Sequence, residues 1–373
     1  MQFTGNIVTP ETAFHGVLST DGEIISAIEP RGEVRPEADW IVAGFIDIHL
    51  HGLGEFTAET PDGVAGMAAV APEFGTTAIL PTLSCNTEDF ILSQLRAIRD
   101  LSRSAGPGAR IAGAHAEGPW LDPTHCGGMV PGLIRAATIT EAEKFLAAAD
   151  GTLKLLTLAP EREGALEVTK FLRRAGVRVS AGHSGLRPEQ YEAAIAAGVR
   201  QFCHLFDTYD LPEDHSGVRQ PALTDLALCD DRVMKEIIMD GLHVPPELVR
   251  LARRAAGASG IVAITDAMQG AGLASGRFQD TGEWYTIRAG ELARRERDNM
   301  IVGSSLTMNR AFHNMVRRFG FSPTEASLAA SANPAAVLGL ADRTGMLKPG
   351  YAADITVLGP DLLTVKGCRV ART

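Results

Sequence analysis

Gly44-Phe45-Ile46-Asp47-Ile48-His49-Leu50-His51 is an apolar run that ends in two histidines separated by one residue. Read as a strand, its alternation puts His49 and His51 on one face, where both can hold the same cation. Seven further strand-like runs follow, at Gly75–Leu83, Arg110–Glu117, Leu153–Ala159, Arg178–His183, Arg200–Phe206, Lys235–Gly241 and Gly260–Asp266. Segments of helical period lie between them, among them Glu88–Ser102, Glu141–Ala149, Ala165–Ala175 and Pro188–Ala197. Strands alternating with helices imply parallel βαβ units. Eight such units predict an α/β fold closed as a (β/α)8 TIM barrel, with its chemistry at the C-terminal ends of the strands.

The two ends read differently. Residues 1–43 and 344–373 show short strand patterns with Gly and Asp turns, such as Ser19-Thr20-Asp21-Gly22, and no long helix. We expect them to pair into one small β-sandwich domain beside a barrel spanning 44–343.

Composition narrows the function classes. The chain has 373 residues, 45% hydrophobic and 21% charged, with a formal net charge of -10. That balance is ordinary for a globular protein, and the acidity argues against nucleic acid or an anionic membrane as partner. No run of about 20 apolar residues is present to span a bilayer. Five scattered cysteines, never arranged as CxxC, fit a reducing cytoplasm and give no thiolate zinc site.

Five of the eight predicted strands end in a metal-ligand residue type: His49 and His51, Glu117, His183, His204 and Asp266. A single histidine at a strand end is usually structural, but their joint placement at one barrel mouth predicts a catalytic metal centre. Imidazole and carboxylate donors suit a divalent ion, zinc first, with iron or manganese as alternatives. One or two such ions acidify bound water and polarise a carbonyl, and Asp266 is placed to shuttle the proton. His115 should share the strand face of Glu117, and Trp120 is either a pocket wall or a core residue.

The chain resembles the N-acetylglucosamine-6-phosphate deacetylases of the amidohydrolase superfamily along nearly its whole length. The likeness is carried by Gly44–Gly52, Glu117-Gly118-Pro119-Trp120-Leu121, Gly182-His183-Ser184, His204-Leu205-Phe206, Asp240-Gly241-Leu242-His243, Thr265-Asp266-Ala267-Met268 and Gly303–Met308. The resemblance implies that Glu117, His183 and His204 form the principal metal site, and that His49 and His51 serve a second ion. It makes Asp266 the acid–base residue and His243 a contact to the sugar phosphate. It also implies a homodimer with a small-molecule substrate.

Two segments depart from the family pattern. The histidine that polarises the acetyl carbonyl falls, counted without gaps, on Met129, whose thioether cannot donate a hydrogen bond. Losing such a donor costs on the order of 3 kcal/mol. Either His125 reaches the carbonyl, the metal acts alone, or the scissile group differs. After His204 the family's Asn-Ala is Asp207-Thr208, and Asp210, Glu213 and Asp214 add charge where a phosphate should bind. His215 stands at the position of the family's phosphate-binding arginine, and Arg219 lies four residues further on. The expected function is metal-dependent deacetylation of an N-acyl amino sugar with an altered phosphate requirement. A lactone or cyclic-amide hydrolase is the runner-up, and a binding protein that lost catalysis is the reading from another class.

Overall fold

Eight parallel strands form the sheet that carries the site, and we label them β1 to β8. They are β1 Phe45–Leu50, β2 Thr76–Leu83, β3 Ala114–Glu117, β4 Leu153–Leu158, β5 Arg178–Ala181, β6 Val199–Phe202, β7 Met234–Ile238 and β8 Ile261–Ile264, hydrogen-bonded in that order. The computed structural model describes residues 1–104 and 106–372. Every residue of β1, β2, β3 and β8 is buried, as expected of parallel strands covered on both faces. Closure comes just past the strand ends, where Asp266 N–H donates to the His49 carbonyl at 2.9 Å and Leu50 bridges Ala267 in parallel. Inside that seam Thr265 Oγ1–H donates to Asp47 Oδ2 at 2.6 Å. The last contacts that close the barrel are thus made by neighbours of the candidate site residues.

The outer helices follow local signals. Thr87 caps the helix Glu88–Ser102, its hydroxyl accepting from Phe90 N–H, and Thr138 caps Ile139–Ala149 in the same way. The first of these has the predicted ends. Pro188–Ala197 instead begins as a 3-10 turn over Pro188–Gln190 before the α-helix Tyr191–Ala197.

Several strand bounds differ from expectation, β7 stopping at Ile238 and β8 at Ile264 among them. The third run breaks into Arg110–Ile111, which pairs with β2, and β3 itself. Between them Gly113 adopts φ +136°, and a Cβ there would lie 2.3 Å from the Thr152 carbonyl oxygen. β5 stops at Ala181, before His183, and β6 stops at Phe202, before His204. The long interval after β8 also holds an unforeseen four-stranded antiparallel sheet. Its strands are Ser275–Asp280, Glu283–Arg288, Leu292–Arg295 and Ile301–Ser304, around Met268, Tyr285, Ile287 and Ala293.

The chain ends pair as expected. Gln2–Val8, Ala13–Asp21, Ile24–Gly32 and Trp40–Ala43 join Ile355–Leu358 and Val365–Arg369 in one six-stranded sheet. Its small core contains Ile7, Leu18, Ile25, Ile41, Leu347 and Ile355. Asp354 ties this sheet to the barrel. It accepts from Arg110 Nη2 at 2.6 Å, Thr344 Oγ1 at 2.6 Å and Ala371 N at 2.8 Å.

Removing that carboxylate leaves three donors without an acceptor. Asp354→Ala is expected to cost about 3 kcal/mol in urea unfolding at constant metal content. A loss below about 0.5 kcal/mol, the scale of an ordinary surface substitution, would show the tie to be incidental.

Candidate metal centre

The candidate ligands lie at the C-terminal mouth of the barrel, and several leave the strand geometry to reach it. His183 (φ +49°), His204 (φ +23°) and Asp266 (φ +49°) all have left-handed backbones two residues past the ends of β5, β6 and β8. Such conformations are costly for residues with a Cβ and collect at functional sites.

Glu117, at the end of β3, is the hub. Its Oε1 lies 3.0 Å from His204 Nε2, 3.2 Å from His183 Nε2 and 3.4 Å from His49 Nε2. Its Oε2 lies 3.2 Å from His51 Nε2. Asp266 Oδ1 is 3.4 Å from His51 Nε2 and 3.5 Å from His49 Nε2. All five predicted ligands and Asp266 are buried. The structure therefore brings together the full predicted set around one carboxylate.

Hydrogen bonds on the far side of the rings show what this set lacks. His183 Nδ1–H donates to the His125 carbonyl at 2.9 Å, so the neutral ring presents its lone pair at Nε2. That lone pair faces Glu117 and, at 3.2 Å, His204 Nε2. His49 Nδ1 lies 3.1 Å from Glu236 Oε2, while its buried Nε2 has no hydrogen-bond partner. Lone pairs aimed at carboxylate oxygens repel unless positive charge lies between them. Side chains alone supply it by protonation: burial opposes charge on His51, yet hydrogen bonds to Asp266 and Glu117 outweigh burial and lift it to about 9. A divalent cation supplies the same charge, and the donor set fits one.

Three contributors were missed in the sequence. Glu236 on β7 and Ser84 hold the outer nitrogens of His49 and His51, at 3.1 and 3.0 Å. Cys203 Sγ lies 3.6 Å from both His49 Nδ1 and Glu117 Oε1, so one of the scattered cysteines stands against the ligands. Only its place just before His204 hinted at this.

The substrate-contact expectations divide. Met129, Asp207 and Thr208 line a cavity of about 140 Å³ over the ligands, together with Asp280 and Met300–Gly303 from the added sheet. His125 does not turn toward that cavity. Its ring is held between Asp122 Oδ2 at 3.1 Å and Asp210 Oδ1 at 3.0 Å, and only its carbonyl serves the site. Burial opposes its protonation, but hydrogen bonds to those two carboxylates raise its pKa overall. His215 and Arg219 lie on an exposed hairpin, paired with Glu213 and Asp225, and do not line the cavity. His243 donates to Asp240 Oδ2 at 2.6 Å, leaving a buried Nε2 without a partner, but it too is outside the lining. His115 is a core residue between Thr82 and Thr157 hydroxyls, and burial holds it neutral. Trp120 is likewise structural, fully buried on Phe145 with its indole N–H on Glu141. Among the described residues no lysine or arginine lines the cavity.

Asp280 stands beside Glu59. Burial and then the Asp280 charge raise the Glu59 carboxyl from 4.5 to about 7. A carboxyl raised on folding favours the native state below its unfolded pKa, and that contribution is lost as pH climbs through the folded value. Thermal stability of the metal-loaded protein should therefore fall between pH 5 and pH 8. Glu59→Gln, which still accepts from Thr281 N–H, should flatten that slope. An unchanged slope in the variant would assign the pH dependence elsewhere.

Comparison with known proteins places the chain in a family. The amidohydrolase family model matches residues 40–369. An N-acetylgalactosamine-6-phosphate deacetylase from Escherichia coli O157:H7 is 34% identical over 352 residues, 93% of this chain and 91% of that protein. An N-acetylglucosamine-6-phosphate deacetylase from Bacillus subtilis is 32% identical over 348 residues, 90% of this chain and 85% of that protein. The solved structure of N-acetyl-D-glucosamine-6-phosphate deacetylase from Mycobacterium smegmatis superposes with TM-score 0.90 at 31% identity, covering 100% of this chain and 98% of that one. From fold, ligand set and these relatives together, the chain belongs to the amidohydrolase family, among its amino-sugar-phosphate deacetylases.

Proposed function

We propose that this chain hydrolyses the acetamide of an N-acetylated amino sugar, with Asp266 as acid–base residue. The observation that carries the reading is Asp266 Oδ1 set within 3.5 Å of two imidazoles of a buried ligand cluster that opens to a cavity. In our reading Glu117, His183 and His204 hold one divalent ion, and His49 and His51 hold a second, zinc in both positions. A bound divalent ion lowers the pKa of water toward about 7 and polarises a carbonyl oxygen.

The chain's own groups then move the proton. Burial raises the pKa of Asp266, but its hydrogen bond to His51 and the positive charge at His49 and His51 bring it below the ordinary carboxylate value, and a divalent ion held by those two rings in neutral form would supply the same positive charge. Asp266 thus begins as a base. It takes one proton from the water attacking the acetyl carbon and returns it to the sugar nitrogen as the C–N bond breaks, releasing the free amine and acetic acid, which gives up the second proton to solvent as acetate. Met129 contributes apolar surface and no hydrogen bond to the acetyl group.

The cavity also bears on the phosphate. Asp207 and Asp280 line it and no lysine or arginine does, so a dianion gains no guanidinium or ammonium contact from its walls. We therefore propose that the unphosphorylated N-acetylhexosamine is turned over as well. The relatives are named as deacetylases, and none of these observations favours a lactone, a cyclic amide or a non-catalytic role.

We further propose a division at 43/44 and 343/344 between the terminal sheet and the barrel, and a homodimer. Exposed Leu211 and Val218 near the hairpin at 214–219 support the homodimer. Five free cysteines support a reducing cytoplasm.

Asp266→Asn is expected to lower acetate release about 10²–10⁴-fold without loss of fold. Full activity in that variant would remove Asp266 from its role. With wild-type enzyme, kcat/KM for N-acetylglucosamine or N-acetylgalactosamine should lie within about tenfold of the 6-phosphates, a difference of about 1.4 kcal/mol. A preference of a thousandfold for the phosphates would contradict the charge argument and leave the deacetylation itself intact.

A further inference from the structure

Glu236, which meets the outer nitrogen of His49, is a buried carboxylate with no part in the metal-holding or proton-transfer roles proposed above. Alternation along β7 turns its neighbour Lys235 the other way, where Nζ donates to the Asp230 carbonyl at 2.7 Å, and leaves Glu236 inside the barrel. Its side chain is fully buried, and among the described residues no lysine or arginine lies within ion-pairing distance. It is surrounded by donors instead. Gln201 on β6 gives an N–H to Oε1, and the His204 backbone N–H points at Oε2 from 3.4 Å. His49 Nδ1 meets Oε2 at 3.1 Å.

Both oxygens already accept N–H groups, from Gln201 and from the His204 backbone, so an ionised carboxylate there places the His49 proton on Nδ1, the nitrogen that Cys203 Sγ also approaches at 3.6 Å. The His49 lone pair is thereby confined to Nε2, the nitrogen that faces Glu117 and Asp266 at 3.4 and 3.5 Å. His51 has only the Ser84 hydroxyl on its outer nitrogen, which rotates to donate or accept and fixes no tautomer. We propose that Glu236, steadied by Gln201, is the positioning residue that makes His49 a ligand, so that the second cation position of this chain depends on it. This rests on the metal-centre reading above and adds to it a residue that touches neither ion nor substrate. Outer carboxylates on ligating histidines typically govern metal affinity by about 10–100-fold.

The test uses full-length protein, zinc binding by equilibrium dialysis, and nitrogen-15 NMR of labelled histidine. Wild type should bind two zinc ions per chain, and His49, assigned by its absence in His49→Ala, should show a protonated Nδ1 and a metal-bound Nε2. Glu236→Gln should weaken one zinc alone by about 10–100-fold and leave the other in place. Within a His49→Ala background the same change should have no further effect on zinc binding. Two zinc ions held with unchanged affinity in E236Q, further weakening in the double variant, or a His49 proton on Nε2 in wild type would each overturn the proposal. Wild-type protein that binds a single zinc yet releases acetate would overturn it too, while the deacetylase reading stands. Should E236Q fail to fold, the wild-type tautomer decides.

Discussion

The structure turns on one buried carboxylate. Glu117 faces four imidazole nitrogens, and a hydrogen bond on the far side of His183 turns the lone pair of its neutral ring toward that carboxylate. That arrangement is electrostatically unfavourable without positive charge inside it. The rest of the barrel mouth reads as machinery for holding it. Strand ends release His183, His204 and Asp266 into left-handed turns, and Glu236, Ser84 and the His125 carbonyl grip the outer edges of three rings. Left-handed backbone at His183, His204 and Asp266 coincides there with a cluster of buried titratable side chains, a combination that collects at functional sites.

The same economy explains the loops. The segment after Glu117 gives the site a backbone carbonyl at His125, with the ring itself engaged by Asp122 and Asp210. The added sheet at 275–304 is joined to the end of β8 through Ser304 N–H on the Asp266 carbonyl at 2.8 Å, which places Met300–Gly303 over the ligands. Substrate selection thus falls to segments outside the strands, where loop variation leaves the metal chemistry untouched.

How much of this was legible follows from the kind of signal each feature leaves. The barrel strands and the helix Glu88–Ser102 show in apolar period and in a Thr cap, which are local. The ligand set showed because histidines and carboxylates recurred at successive strand ends. The added sheet was missed because its strands are short and mostly polar, with Phe278, Tyr285 and Ile287 among few apolar residues. Glu236 was missed because a Lys-Glu pair inside a strand gives no sign of which member points inward. His125, His215 and Arg219 were placed by counting along the chain, and counting does not show where a loop turns its side chains. Trp120 left the choice between pocket and core open, and only packing against Phe145 decided it.

The central claim is that a divalent cation resides at Glu117. Crystals grown with zinc and measured on both sides of the zinc absorption edge would test it most directly. The account predicts an anomalous peak bounded by Glu117, His183 and His204. An absence of anomalous density there, with His183 and His204 bonded directly to the Glu117 carboxylate, would contradict it.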